Sequence, residues 1–224
     1  MALEIDRVRV ICFDVDGTLS DTDDLLVSRI VYWFRFLRII YSHKKIKIFA
    51  RRLVMALESP TNWVYEILDC LELDGILAGM MHFFAERKPK RNNKYLLIPG
   101  VEKMLMELVA KYPMAVVSAR DEATTTEFLN KFDIKKFFEL VVTSQTCKHT
   151  KPFPDPLLYA TGKLKAIPQN CLMVGDTPVD IKTGKRAGAQ TVGVLCGFGT
   201  QGELVRAGAD FILSTTADLS KLLL

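Results

Sequence analysis

The chain has 224 residues, of which 49% are hydrophobic, and a formal net charge of +4. That length fits one large domain, or a domain carrying a smaller insert, and the apolar share permits a sizeable core. So mild a charge argues against a nucleic-acid-binding surface, and no nucleic-acid partner is expected. The cysteines Cys12, Cys70, Cys147, Cys171 and Cys196 are scattered, odd in number and never in a CxxC pair. This argues for reduced thiols in a cytoplasmic setting and against a disulfide scaffold or zinc site. The opening MALEIDRVRV lacks the apolar core of a signal peptide.

The first predicted element is a buried strand, Val8 to Phe13, running into Asp14-Val15-Asp16-Gly17-Thr18-Leu19. Alternate strand side chains share a face, so Asp14 and Asp16 leave the chain on the same side. Carboxylates beside such an apolar run need something to offset their desolvation, and a bound cation is the simplest candidate. Gly17 allows a sharp turn. Asp21, Asp23 and Asp24, with Ser20 and Thr22 among them, are expected to be the cap and acidic first turn of a helix.

From Leu25 to about Met81 the chain reads as long helical runs. Between Leu25 and Leu57 every charged residue is basic: Arg29, Arg35, Arg38, Lys44, Lys45, Lys47, Arg51 and Arg52. A membrane span is disfavoured, since each mid-helix Arg costs ~2.5–3.5 kcal/mol on insertion. A helix lying on a membrane surface is a second reading. The favoured one is a compact helical subdomain with basic side chains at its rim, their stems covering apolar surface. Lys88 to Lys94, KPKRNNK, reads as a polar linker.

After it, short strands alternate with helices. Expected are a helix over Val101 to Lys111, with Val101, Met104, Leu105, Leu108 and Val109 on one side, and a strand Met114 to Val117 ending at Ser118. A helix Asp121 to Phe132, a strand Leu140 to Thr143, a helix Pro156 to Lys165 and a strand Cys171 to Val174 ending at Gly175-Asp176 follow. A helix Val179 to Ala187 is stopped by Gly188, and a strand runs Thr191 to Leu195. This alternation predicts an α/β, Rossmann-like parallel sheet with helices on both faces, plus an inserted all-helical cap. The domains expected are a core over 1–20 and 95–224 and a cap over 21–94.

In such a sheet the strands' carboxyl ends open on one edge, where ligands bind at the topological switch point. If the strands are neighbours, Asp14, Asp16, Ser118 and Asp176 meet there, and Lys151 in the loop Lys151-Pro152-Phe153-Pro154-Asp155 is within reach. Oxygen ligands of this kind suit Mg²⁺, and a carboxylate can act as a nucleophile toward phosphorus. Taken singly, each has a plain alternative: Asp-Gly as a turn, Ser118 as a helix cap, Lys151 as a solvated lysine, Asp176 as a cap before Pro178. Gly197-Phe198-Gly199-Thr200-Gln201-Gly202 fits GxGxxG, but too little chain follows for a dinucleotide site. His43, His82 and His149 have no metal-ligand spacing.

Asp14-Val15-Asp16-Gly17-Thr18-Leu19, Ser118, Lys151-Pro152 and Gly175-Asp176-Thr177-Pro178-Val179-Asp180 resemble, in order, the four motifs of the haloacid dehalogenase superfamily. The tail from Gly184 looks most like its phosphoglycolate-phosphatase branch. The resemblance implies that Asp14 attacks phosphorus and that Asp16 is the general acid and base. Asp14 and Asp176 would hold Mg²⁺ together with the backbone carbonyl of Asp16. Ser118 and the amide of Ala119 would hold phosphate oxygens, and Lys151 would balance charge. Asp180 would support the metal's waters or orient Lys151. The expected function is Mg²⁺-dependent hydrolysis of a small phosphorylated metabolite through an aspartyl-phosphate, by a monomer or homodimer. Three alternatives stand beside it: a hexose-phosphate mutase, a phosphonate hydrolase using a cap lysine, and a scaffold or membrane-surface protein acting through the basic block. Mutases of the family usually carry Glu-Asp where this chain has Gly175-Asp176, and the acid at Asp16 favours phosphoryl chemistry over dehalogenation.

Overall fold

A computed structural model describes residues 3–21 and 95–224. The expected cap, with its basic block, and the linker Lys88 to Lys94 lie outside the described residues. The described chain builds one six-stranded sheet, every pairing parallel. Its strands are β1 (Val10–Phe13), β2 (Met114–Val117), β3 (Leu140–Val142), β4 (Cys171–Gly175), β5 (Gln190–Val194) and β6 (Phe211–Leu213). Helices α1 (Val101–Leu108), α2 (Glu122–Lys131), α3 (Asp155–Lys163), α4 (Pro178–Ala187), α5 (Gln201–Ala207) and α6 (Leu219–Leu223) connect or follow them. This is the α/β, Rossmann-like architecture expected.

The spatial order β3-β2-β1-β4-β5-β6 puts β1 at the centre, between β2 and β4. Strands β1, β2 and β4 are buried at every position, as a sheet covered on both faces requires. Their side chains divide by parity. Ile11, Phe13, Met114, Val116, Leu172 and Val174 enter one core with Met104, Leu105 and Leu108 of α1 and Phe128 of α2. Val10, Cys12, Ala115, Val117, Cys171 and Met173 enter a second core with Leu157 and Ala160 of α3. Burying one large aliphatic side chain contributes about 1.5–3 kcal/mol, so these two layers hold the sheet.

Several expected boundaries move. Strand β1 starts at Val10 because Ile5–Arg7 form a 3₁₀ turn, closed by the Val8 amide on the Ile5 carbonyl at 3.0 Å. Helix α1 ends at Leu108, and Val109 is 43% exposed rather than part of the apolar side. Helix α2 is capped by Asp121, whose carboxylate accepts from the Thr124 amide at 2.8 Å. Helix α4 is capped by Thr177, with Asp180 closing a reciprocal box. The cap readings of Ser118 and Asp176 are thereby overturned: Asp121 and Thr177 do that work. The elements α5, β6 and α6 are additions to those expected.

Where the described chain breaks off and resumes, the Asp21 amide donates to the Leu96 carbonyl at 2.8 Å, and Ser20 pairs antiparallel with Leu97. Residues 20–21 and 96–97 therefore lie side by side at the sheet's carboxyl edge.

Candidate active site

Strand order and register bring the chemistry together. Phe13 pairs with Val174, so Asp14 follows β1 where Gly175 and Asp176 close β4. The Asp14 amide donates to the Val174 carbonyl at 2.9 Å, which carries the ladder to the acid itself. β1 and β4 flank the point where the strand order reverses, the expected place for a ligand.

Asp14, Asp176 and Asp180 are buried, and one carboxylate oxygen of each lies within 4.8 Å of the others. Lys151, also buried, donates to Asp14 Oδ1 at 2.5 Å and to Asp180 Oδ1 at 2.6 Å. Its loop follows a cis Lys151-Pro152 bond, and Arg186 of α4 donates to the Pro152 carbonyl at 3.1 Å. The second oxygen of Asp180 accepts from the Thr177 amide at 3.1 Å and hydroxyl at 2.6 Å. Asp180 thus joins the cap of α4 to the ammonium of Lys151.

Asp176 has no exposed surface. The Phe198 amide donates to its Oδ2 at 2.7 Å, and the Thr18 hydroxyl reaches Oδ1 at 3.5 Å. A Cβ at Gly17, which sits at φ +74°, or at Gly197 would run into the Asp176 carboxylate. The glycine string 197–202 therefore lets backbone close on Asp176, a different use from dinucleotide binding.

Electrostatics follow from burial. Desolvation pushes Asp14 up to about 7, Asp180 and Asp16 add to the rise, and Lys151 opposes it. For Lys151, burial favours the neutral amine, but Asp14 and Asp180 outweigh it and hold the ammonium charged. The buried ammonium thus bridges two of three clustered, buried carboxylates. All three offer hard oxygen donors, so the set fits a divalent cation such as Mg²⁺.

Asp16 lies apart from this cluster. Arg120 holds its carboxylate bidentately, Nε at 2.5 Å from Oδ2 and Nη2 against Oδ1. The guanidinium lies over the rings of Tyr95, at 5.2 Å, and Phe128, at 5.9 Å. Burial works to lower the Arg120 pKa, but Asp16, with smaller help from Tyr95 and Asp14, raises it above its ordinary value. Ser118 is buried at the end of β2, and its Oγ accepts from the Arg120 amide at 3.1 Å. Ala119, between them, is exposed.

Asp14, Lys151, Asp176 and Asp180 are thus brought into one cluster. Asp16 and Ser118 stand together through Arg120. His149 pairs with Asp155 at 2.9 Å and lies 5.2 Å from the Phe153 ring, a packing arrangement. Sequence reasoning missed Arg120, Thr18 and the Phe198 amide. Arg120 was within reach of it: it lies two residues past Ser118, on a loop leaving the same sheet edge.

A family model described as haloacid dehalogenase-like hydrolase matches residues 11–194. The pyrophosphatase PpaX of Oceanobacillus iheyensis is 29% identical over 214 residues, covering 95% of each chain. A haloacid dehalogenase-like hydrolase from Streptococcus pneumoniae superposes with a TM-score of 0.68 at 24% identity, covering 98% of this chain and 100% of its own. A predicted phosphoglycolate phosphatase from Haemophilus somnus does so with a TM-score of 0.65 at 23% identity, covering 97% and 99%. Among the described residues no helix is long and apolar enough to cross a membrane.

Proposed function

Since the chain belongs to the haloacid dehalogenase-like hydrolase family, we propose that it is a Mg²⁺-dependent phosphatase acting on a small phosphorylated metabolite. Residues 1–20 and 95–224 would carry the chemistry, and 21–94 would serve as its cap. The observation that supports this best is the buried Asp14–Lys151–Asp180 chain with Asp176 beside it. Asp14 is the nucleophile: its oxygen bonds to phosphorus as the bond to the leaving oxygen breaks, giving an aspartyl-phosphate. Asp16 gives its proton to that leaving oxygen. It then takes a proton from the water that attacks phosphorus, so phosphate departs and Asp14 is restored. Lys151 offsets the charge gathering near Asp14, and the Ser118 hydroxyl and Ala119 amide hold phosphate oxygens. Asp14, Asp176 and the backbone carbonyl of Asp16 would hold Mg²⁺, with Asp180 behind them. When bound, Mg²⁺ supplies the neutralisation that lets one anion approach another.

The pyrophosphatase name carried by the PpaX relative supports hydrolysis over transfer within a sugar. So does Gly175, where a glutamate's Cβ would collide with the Asp180 side chain. The test is phosphate release with Mg²⁺ across a panel of phosphorylated metabolites that includes pyrophosphate. At least one substrate is expected to turn over, with Asp14→Asn at background. Turnover that survives Asp14→Asn would overturn the assignment.

A further inference from the structure

We propose that Arg120 determines specificity for the leaving group: it latches Asp16 until an anionic group beside the scissile bond takes over its guanidinium. The site would then favour phosphoesters and anhydrides whose leaving group carries its own negative charge. This inference rests on the phosphatase reading above, in which Asp16 serves the leaving oxygen.

The geometry gives the reason. Both Asp16 oxygens are engaged by guanidinium N–H groups, so the pair must open before Asp16 can serve a leaving oxygen. It also sits at the mouth of the site. The side chains of Arg120 and Asp16 are 14% and 35% exposed, against 4% and 8% for Lys151 and Asp14. A phosphoryl group drawn toward Asp14 leaves its departing half on that outer side. The Arg120 fork is held against Tyr95 and Phe128, and its backbone amide is tied to Ser118. It is therefore held in place beside both Ser118 and Asp16.

A phosphate or carboxylate on the leaving group matches the carboxylate it replaces: two oxygens in a plane, accepting the same two N–H donors. A neutral alcohol has no such pair and leaves the latch shut. The same exchange would release the Asp16 carboxylate, free to take up a proton from water and pass it on, only when the leaving group that needs that proton is in place.

The test compares pyrophosphate and phosphoglycolate with ethyl phosphate, whose leaving group is uncharged, all with Mg²⁺. The wild type should prefer the first two. Arg120→Met keeps an apolar stem over the two rings. Its kcat/KM should fall by about ten- to a hundredfold on the charged pair, the effect of losing one charge-assisted hydrogen bond. On ethyl phosphate it should hold steady or rise. Arg120→Lys, which keeps the charge but not the fork, should fall between, and supplies the same comparison should the methionine variant fold poorly. Equal losses on charged and uncharged leaving groups would overturn the latch and leave the phosphatase intact. Absence of turnover by the wild type on every phosphorylated compound would overturn both.

Discussion

Asp180 touches three groups: the Lys151 ammonium, the Thr177 amide and the Thr177 hydroxyl. It has room only because residue 175 is glycine, whose absent Cβ would occupy the space of the Asp180 side chain. Gly175→Ala therefore pushes Asp180 aside and takes Lys151 with it. Overpacking of this kind costs about 1–3 kcal/mol of stability, and a displacement near one ångström costs about a hundredfold in rate. Phosphate release and a thermal melt, run together, should show the rate falling far more than the melt explains. A variant with wild-type turnover would mean that Asp180 does not set the position of Lys151. At this scale the acids and Lys151 were legible, because motif spacing exposes residue identity directly. The Arg120–Asp16 pair was not: a contact across 104 residues appears only once β1 and β2 are known to be neighbours.

Elements were legible where burial imposes a pattern. Strands β1, β2 and β4 are buried throughout and sit within about two residues of their expected bounds. The C-terminal elements were not, for physical reasons. β6 is three residues long with exposed Phe211 at its edge, and α5 is seven residues with Gly202 in its first turn. The signal is present in α5 as a capping box, Thr200 with Glu203, set within a glycine string that fits GxGxxG without the chain a dinucleotide site needs. These late elements are stitched to the sheet by Asp210. Its carboxylate accepts from Lys185 of α4 at 2.5 Å and from the Thr191 amide and hydroxyl of β5 at 2.9 and 3.0 Å. Burial works to raise the Asp210 pKa, but these donors prevail and hold it below the ordinary carboxylate value. A group depressed in the folded state stabilises above its unfolded pKa, and the contribution is lost as pH falls through the folded value. Asp210→Asn should cost about 1–3 kcal/mol near neutrality, lowering the melt by about 2–4 °C per kcal/mol in a chain of this size. The gap from wild type should close in acid below the usual carboxylate range. A gap independent of pH would remove the charge from this account.

For the molecule as a whole, the fold gathers buried acids at one sheet edge. Parallel strands deliver Asp14 and Asp176 to adjacent positions, and α4 adds Asp180, with Lys151 bridging Asp14 and Asp180. Burial disfavours the charged Asp14, whose carboxyl is pushed up to about 7, and without a cation protonation relieves it. A carboxyl raised in the folded state contributes stability that is complete below its unfolded pKa and lost as pH rises through the folded value. The cation-free protein is therefore weakest above about pH 7, where Asp14 ionises among its neighbours. Mg²⁺ should stabilise most there, because it pairs with a buried Asp14 carboxylate that protons no longer neutralise. Linkage gives about 2.7 kcal/mol at a concentration a hundredfold over Kd, a shift of several degrees. Melts with Mg²⁺ and with a chelator, at a pH one unit above the Asp14 value and two units below it, should show a large shift in the first and a small one in the second. Asp176→Asn, which removes one of the three clustered carboxylates, should shrink the shift at the higher pH. Equal shifts at both values, or an unaltered shift in Asp176→Asn, would place the cation elsewhere and separate the buried acids from the chemistry assigned to them.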